Sequence, residues 1–207
     1  MPSLESLEDL LQEELRDMYD AEKQLTKALP KLSKKASSPE LKDAFDEHLR
    51  QTEGHIERLE QIFEQLEIPA RAKKCEGMKN LFAEGDEMIA EAEDDATRDA
   101  LMIAAAQKVE HYEMASYGTM RTWATLLGKN DAASLFQENL DEEKEADQKL
   151  TEIAESFVNQ QAAQGAGEQD QEEEESGRRG ARNARVQSRS RTSRAAAADR
   201  ARSRSRR

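Results

Sequence analysis

The chain has 207 residues, of which 36% are hydrophobic, 36% charged and 4% aromatic, with nine Gly and four Pro, a balance that suits one helical domain better than a β-rich one. Its single cysteine, Cys75, excludes an intramolecular disulfide framework and any cysteine-held zinc or iron–sulfur site, and points to a reducing, cytoplasmic location. The longest apolar stretch is far too short for a bilayer, and Met1 to Leu10 lacks the basic start and apolar run of a signal peptide, so no membrane partner is expected.

Charge divides the chain near residue 160. Residues 1–160 carry 37 acids and 19 bases, net −18, whereas residues 161–207 carry 7 acids and 12 bases, net +5, and all twelve bases are Arg. The first part is expected to fold. The second reads as a Gln/Ala/Gly linker, an acidic block from Glu172 to Glu175 and an Arg/Ser/Ala stretch from Arg178 to Arg207, with no large apolar residue beyond Val186, which predicts disorder.

The folded part reads as four long helices and one short one. Leu4, Leu7, Leu11, Leu15, Met18, Leu25, Leu29 and Leu32 recur at the spacing of three and four that puts side chains on one helical face, with a kink or interruption expected near Pro30. Ser37-Ser38-Pro39 supplies caps and a stop, and Leu41, Phe45, Leu59, Ile62 and Leu66 carry a second helix to Pro69. The short link makes these two an antiparallel hairpin. A short amphipathic helix around Met78 to Ala92 carries the chain across to a third long helix, Ala96 to Leu127, which ends at Gly128. A fourth follows from Asn130 to Phe157. Two hairpins joined by a long crossover make a known four-helix-bundle connectivity.

The hairpins resemble each other weakly. A shift of 88 residues places Leu15, Met18, Glu22 and Leu29 on Ile103, Ala106, Glu110 and Tyr117, and a shift of 91 places Phe45, Leu59 and Ile62 on Phe136, Leu150 and Ile153. The polar members of the stripes carry the functional argument. Glu22 interrupts the first apolar face, His48, Thr52 and His55 the second, Glu110 and Glu113 the third, and Asn139 and Glu143 the fourth, with Asp147 at its margin. Antiparallel packing brings these mid-helix interruptions to one height.

Burying several unpaired carboxylates costs roughly several kcal/mol per ion even after relaxation. No Lys or Arg occupies the central stripe positions. A metal pair is the simplest compensation, and carboxylate with imidazole suits iron or manganese. Di-iron carboxylate bundles take a Glu from each of two helices and Glu-x-x-His from each of the other two.

The stretches Tyr19-Asp20-Ala21-Glu22-Lys23-Gln24-Leu25, Gln107-Lys108-Val109-Glu110-His111-Tyr112-Glu113 with Ser116-Tyr117-Gly118, and Leu140-Asp141-Glu142-Glu143-Lys144 resemble the YciE/YciF family of bacterial ferritin-like stress-response proteins over about residues 3–160. The resemblance implies an all-α, ferritin-like four-helix bundle whose crossover carries a short extra helix. It also implies a homodimer in the bacterial cytoplasm and a dinuclear metal site without an assigned reaction. On that analogy Glu22, Glu110 and Glu143 match the carboxylate positions. The second helix departs from the pattern with Thr52-x-x-His55, and the fourth with Glu143-x-x-Ala146. Glu113 or Asp147 could supply the lost ligand, and Glu53 could do so if the second helix were rotated.

Each feature also has a plainer reading. The three glutamates could sit at a solvated stripe edge, and His48 and His55 could be core or edge histidines. Glu113 could be a hydrogen-bond partner of His48 or Thr52, Glu53 faces solvent in the stripe register, and Tyr117 is either core or a neighbour of the metal. His111 is expected at a helix interface, Met78, Met88, Met102, Met114 and Met120 as core fill, and Cys75 as a spectator thiol unless Lys73 and Lys74 lower its pKa mildly.

Two functions from different classes follow. In one, a dinuclear iron or manganese centre held by Glu22, Glu110 and Glu143 with His48, His55, Glu113 or Asp147 consumes peroxide or dioxygen. In the other, a non-enzymatic stress or interaction protein with a degenerate site uses Arg178–Arg207 to hold nucleic acid or another polyanion nonspecifically, through forked hydrogen bonds to phosphate. The tail's plain alternative is a solubilising end, and the acidic block could mask its arginines. Ser188, Ser190 and Ser193 are phosphorylation candidates on composition alone.

Overall fold

A computed structural model describes residues 4–164. The tail expectations, from residue 165 onward, lie outside the described residues.

Helix α1 spans Leu7–Lys35. The Ser6 hydroxyl accepts from the Asp9 amide at 3.1 Å, and acidic Glu8 and Asp9 in the first turn face basic Lys34 and Lys35 in the last, both favourable to the helix dipole. The helix runs through Pro30 without the interruption that was one of the two expectations there. Proline removes one rung of the ladder, but Leu25 and Leu29 are buried on the same face, and their packing holds the helix together across the break. Helix α2 spans Pro39–Gln65, opened by the Ser38 hydroxyl accepting from the Leu41 amide at 3.2 Å with Pro39 in the first turn. It ends before Pro69, where Leu66 caps it and Glu67 turns left-handed at φ 53°.

Helix α3, Glu76–Ala90, is the short crossover helix. Its capping residue, Cys75, is fully buried, its sulfur accepts from the Met78 amide at 3.3 Å, and it lies 3.2 Å from the Tyr112 hydroxyl. Burial pushes this thiol up to about 11, so the mild lowering considered from Lys73 and Lys74 is overturned. Helix α4 spans Asp95–Leu126 and α5 spans Asn130–Ile153. Gly128 makes the turn between them at φ 73°, a conformation that suits glycine. A π-helical turn, Ala154–Val158, then carries the helical path on. Met78, Met102 and Met120 are core, while Met88 and Met114 are only half-buried.

Helix α1 packs on α2, α2 on α5, α5 on α4, and α4 on α1, so the four long helices form a closed square with α3 laid against α4 and the edge of α1. Among the described residues no helix is long and apolar enough to cross a membrane. The α1–α2 turn is tied to the second hairpin by Asp99, a buried carboxylate of α4 that accepts from the Ser37 amide at 2.9 Å, the Ser38 amide at 2.8 Å and the Ser37 hydroxyl at 2.6 Å. Replacing Asp99 by Ala leaves two amides without an acceptor and is expected to cost about 3 kcal/mol in urea unfolding. A loss under about 1 kcal/mol would show that water replaces the carboxylate without penalty.

Candidate metal centre

The four stripe interruptions do meet at one height. Glu22 from α1, His48 and His55 from α2, Glu110 and Glu113 from α4, and Glu143 from α5 are all at most 5% exposed. Their ligand atoms fall into two groups, each with its members within 4.8 Å of one another: His48, Glu110, Glu113 and Glu143, and Glu22, His55 and Glu143. Glu143 belongs to both.

These side chains are poorly satisfied by the protein itself. Glu22 Oε2, His48 Nε2, His55 Nδ1, Glu110 Oε2 and both carboxylate oxygens of Glu113 and Glu143 are buried without a hydrogen bond. His48 Nε2 lies 3.3 Å from Glu110 Oε1 and 3.6 Å from Glu143 Oε2, and His55 Nδ1 lies 3.0 Å from Glu143 Oε1 and 3.3 Å from Glu22 Oε1, close enough to attract but not aligned to bond. A group of buried acceptors with no donor is what a cation site looks like before its cation is counted.

Both imidazoles are held from behind. His55 Nε2 is 2.8 Å from Glu142 Oε2, Arg58 donates to the same carboxylate and to Asn139, and His48 Nδ1 is 3.2 Å from Gln51 Oε1. A neutral ring whose outer nitrogen donates keeps the lone pair of its inner nitrogen for the centre, the arrangement metal-bound histidines use. Tyr117, fully buried, donates from its hydroxyl to Glu22 Oε1 and leaves Oε2 to face inward.

Electrostatics agree with the geometry. Burial raises the Glu110 and Glu113 carboxyls well above the ordinary carboxylate range, and the neighbouring Glu143 and Glu22 charges add to it. Burial also opposes charge on His55, but attraction from Glu22, Glu143 and Glu142 outweighs it and lifts the imidazole well above its usual value. Glu143 is buried too, yet His55 and then His48 hold it below the ordinary range. Glu110, Glu113 and His55 are thus each shifted toward keeping their proton.

The departures from Glu-x-x-His are made good from elsewhere. Four glutamates and two histidines are present, the same inventory that di-iron carboxylate bundles use, but differently distributed. The imidazole absent at Ala146 is matched by His48 from the facing helix, and the carboxylate absent at Thr52 by Glu113, one turn from Glu110. Thr52 spends its hydroxyl on the His48 carbonyl at 2.8 Å. Glu113 makes no hydrogen bond to His48 or Thr52.

Other expected positions fall outside. Asp147 accepts from Gln107 Nε2 at 3.1 Å, lies 3.5 Å from His111 Nε2, and joins neither group. His111 is mostly exposed, not enclosed at an interface, and Glu53 faces solvent as its register implied. Glu142 and Arg58 were missed. The available signal was the separation of three between His55 and Arg58, which places the guanidinium on the histidine's flank.

Comparison with known proteins places the fold in a family. The family described as a domain of unknown function, DUF892, matches residues 6–163. The protein YciF of Escherichia coli K12 is 47% identical over 161 residues, 77% of this chain and 97% of the relative. The crystal structure of the E. coli stress protein YciF superposes with a TM-score of 0.72 at 47% identity, covering 75% of this chain and 99% of that one. YcfI from Rhodopseudomonas palustris superposes with a TM-score of 0.71 at 42% identity, covering 72% and 96%. A Xanthomonas campestris protein of 22% identity shares the fold, with a TM-score of 0.60 over 78% and 99%. With its helix order, its buried carboxylate–histidine core and these matches, the chain belongs to the DUF892 family, an all-α bundle of the YciF kind.

Proposed function

We propose that this chain holds a dinuclear iron or manganese centre at the height of Glu22 and Glu110 and reacts with peroxide or dioxygen during stress. The observation that supports it best is the pair of buried ligand groups sharing Glu143, whose inward atoms have no protein partner. His48, Glu110, Glu113 and Glu143 would hold one ion, and Glu22, His55 and Glu143 the other. Four carboxylates balance two divalent charges, which relieves the burial cost. A bound iron or manganese pair would supply the redox change that no side chain here offers.

The chain's own residues orient and insulate. Glu142 and Arg58 fix the His55 ring, Gln51 fixes His48, and Tyr117 holds its hydroxyl proton at Glu22 Oε1. The surrounding core keeps bulk water from Glu22, His55 and Glu143, which are fully buried. The E. coli relative's description as a stress protein supports the cellular setting, and a cytoplasmic homodimer is part of the same proposal.

Metal content by mass spectrometry, on protein made without a metal-binding tag, tests the centre. About two ions per chain are expected, with at least one lost in Glu110→Ala at unchanged helix content. Metal-free protein that also refuses ferrous iron added anaerobically would overturn the reading and leave a helical scaffold.

A second, independent proposal concerns residues 161–207, whose twelve bases are all Arg, in a chain whose first 160 residues carry net −18. Removing residues 176–207 is expected to abolish retention on an immobilised polyanion and its steep salt dependence, while Glu110→Ala is retained like wild type. Equal retention of the truncated chain would overturn it.

A further inference from the structure

Two openings on different sides of the bundle are both lined by Glu110. One, about 230 Å³, lies between α1, α3 and α4, has apolar walls that include Leu29, Phe82 and Ile89, and carries Lys27, Lys31 and Lys35, the last of them paired to Asp86 at 3.5 Å. The other, about 670 Å³, lies between α2 and α5 and ends on His48 and Glu110. Its mouth carries Glu40, Asp43, Asp46, Glu47 and Glu145 against Arg50 and Lys149, and Arg50 is already paired to Glu47. Among the described residues Asp43, Asp46 and Glu145 make no ion pair and are exposed.

The acidic mouth alone would not make a site. What makes it one is its floor. His48, 5% exposed, and Glu110, 2% exposed, both line the cleft, and His48 Nε2 and Glu110 Oε2 are buried atoms without a hydrogen bond. Ala146 lines the same cleft. A histidine there, as Glu-x-x-His would place it, would fill the inner end. Alanine leaves it open, and His48 supplies the imidazole from the facing helix.

We propose that the acidic cleft between α2 and α5 is the port through which a divalent cation reaches the buried carboxylates, arriving first at His48 and Glu110. The proposal rests on the dinuclear reading above and adds the route. Charge decides between the two openings. A cation is drawn toward a mouth of unpaired carboxylates with low-dielectric walls and repelled by one that keeps Lys27 and Lys31 after Lys35 pairs with Asp86. Glu22 and His55 line neither opening, so their group fills after the first.

The test is the rate of Co(II) uptake by the full chain, followed by stopped-flow absorbance, with final stoichiometry measured separately. The combined variant Asp43→Asn/Asp46→Asn/Glu145→Gln is expected to take up the same final amount about tenfold more slowly, with a flattened dependence on ionic strength. Ala146→Phe, which plugs the cleft without changing charge, is expected to slow uptake by at least as much. Glu87→Gln/Glu91→Gln/Glu93→Gln removes the same number of charges on and just beyond α3 and is expected to leave the rate near wild type. Unchanged rates in both cleft variants at full stoichiometry would overturn the port while leaving the centre standing. Equal slowing by the α3 variant would reduce the effect to net charge and also overturn it. Wild-type protein that takes up no cobalt at any time would overturn the centre itself, and the port with it.

Discussion

Glu143→Ala is expected to leave the protein with essentially no bound metal, whereas Glu22→Ala keeps about one ion per chain. The asymmetry comes from geometry. Glu143 is the single residue common to both ligand groups, while Glu22 belongs to the group with His55 only. Removing Glu143 also leaves His48 and His55 beside fewer counter-charges, since its carboxylate lies 3.6 Å from one ring and 3.0 Å from the other. Metal content and circular dichroism on both variants settle the matter. If the two variants lost metal equally at full helicity, the centre would not be shared through Glu143. Glu143→Gln should behave like Ala, because an amide keeps the volume but not the charge.

The metal-free protein is expected to lose thermal stability as pH rises from about 5 to about 8, by about 5 °C or more, and the metal-loaded protein is not. The sign follows from three groups. Burial lifts Glu110 and Glu113 above their ordinary value of 4.5, aided by Glu143, and His55 is lifted above 6.5 by Glu22 and Glu143 in spite of its burial. Each binds its proton more tightly folded than unfolded. Its contribution is therefore complete below the unfolded value and is lost as pH climbs through the folded one. Glu143, held low by His55 and His48 against its burial, works the other way, being lost as pH falls through its depressed value. Three groups against one set the net direction. Glu113→Gln removes a carboxylate that has no hydrogen bond at either oxygen, so it should stabilise the metal-free protein at about pH 8 and flatten the curve. A metal-free protein whose melting temperature rose over the same range would contradict this charge assignment.

Much of this centre was legible in the sequence, and the reason is helical periodicity. A face that buries Leu11, Leu15, Met18, Leu25 and Leu29 must also bury Glu22, and the same argument placed His48, His55, Glu110, Glu113 and Glu143. What periodicity reads is a face, not the reach of a side chain. Glu142 and Arg58 start outside the apolar stripe and arrive at His55 by length and flexibility, so the stripe that found the other residues does not contain them. Asp147 shows the opposite error. Its backbone position is near the face, but it sits beside Gln107 of α4 and bonds there. At Pro30 the helix continues rather than breaks, with Leu25 and Leu29 buried beside the lost rung. The apparent degeneracy at Thr52 and Ala146 was a matter of counting within one helix. Summed over the bundle, four glutamates and two histidines meet at one height.

Neither hairpin holds a complete ligand group. The first draws His48 from the N-terminal hairpin and Glu110, Glu113 and Glu143 from the other, and the second draws Glu22 and His55 from the former and Glu143 from the latter. During synthesis the N-terminal hairpin therefore emerges with one carboxylate and two imidazoles that cannot close around an ion. Capture waits until residue 143 has left the ribosome and the two hairpins have docked. A metal ion bound at that height would then be a seal on a finished chain, tying the N-terminal hairpin that carries Glu22 to the later one that carries Glu143, more than a hundred residues on.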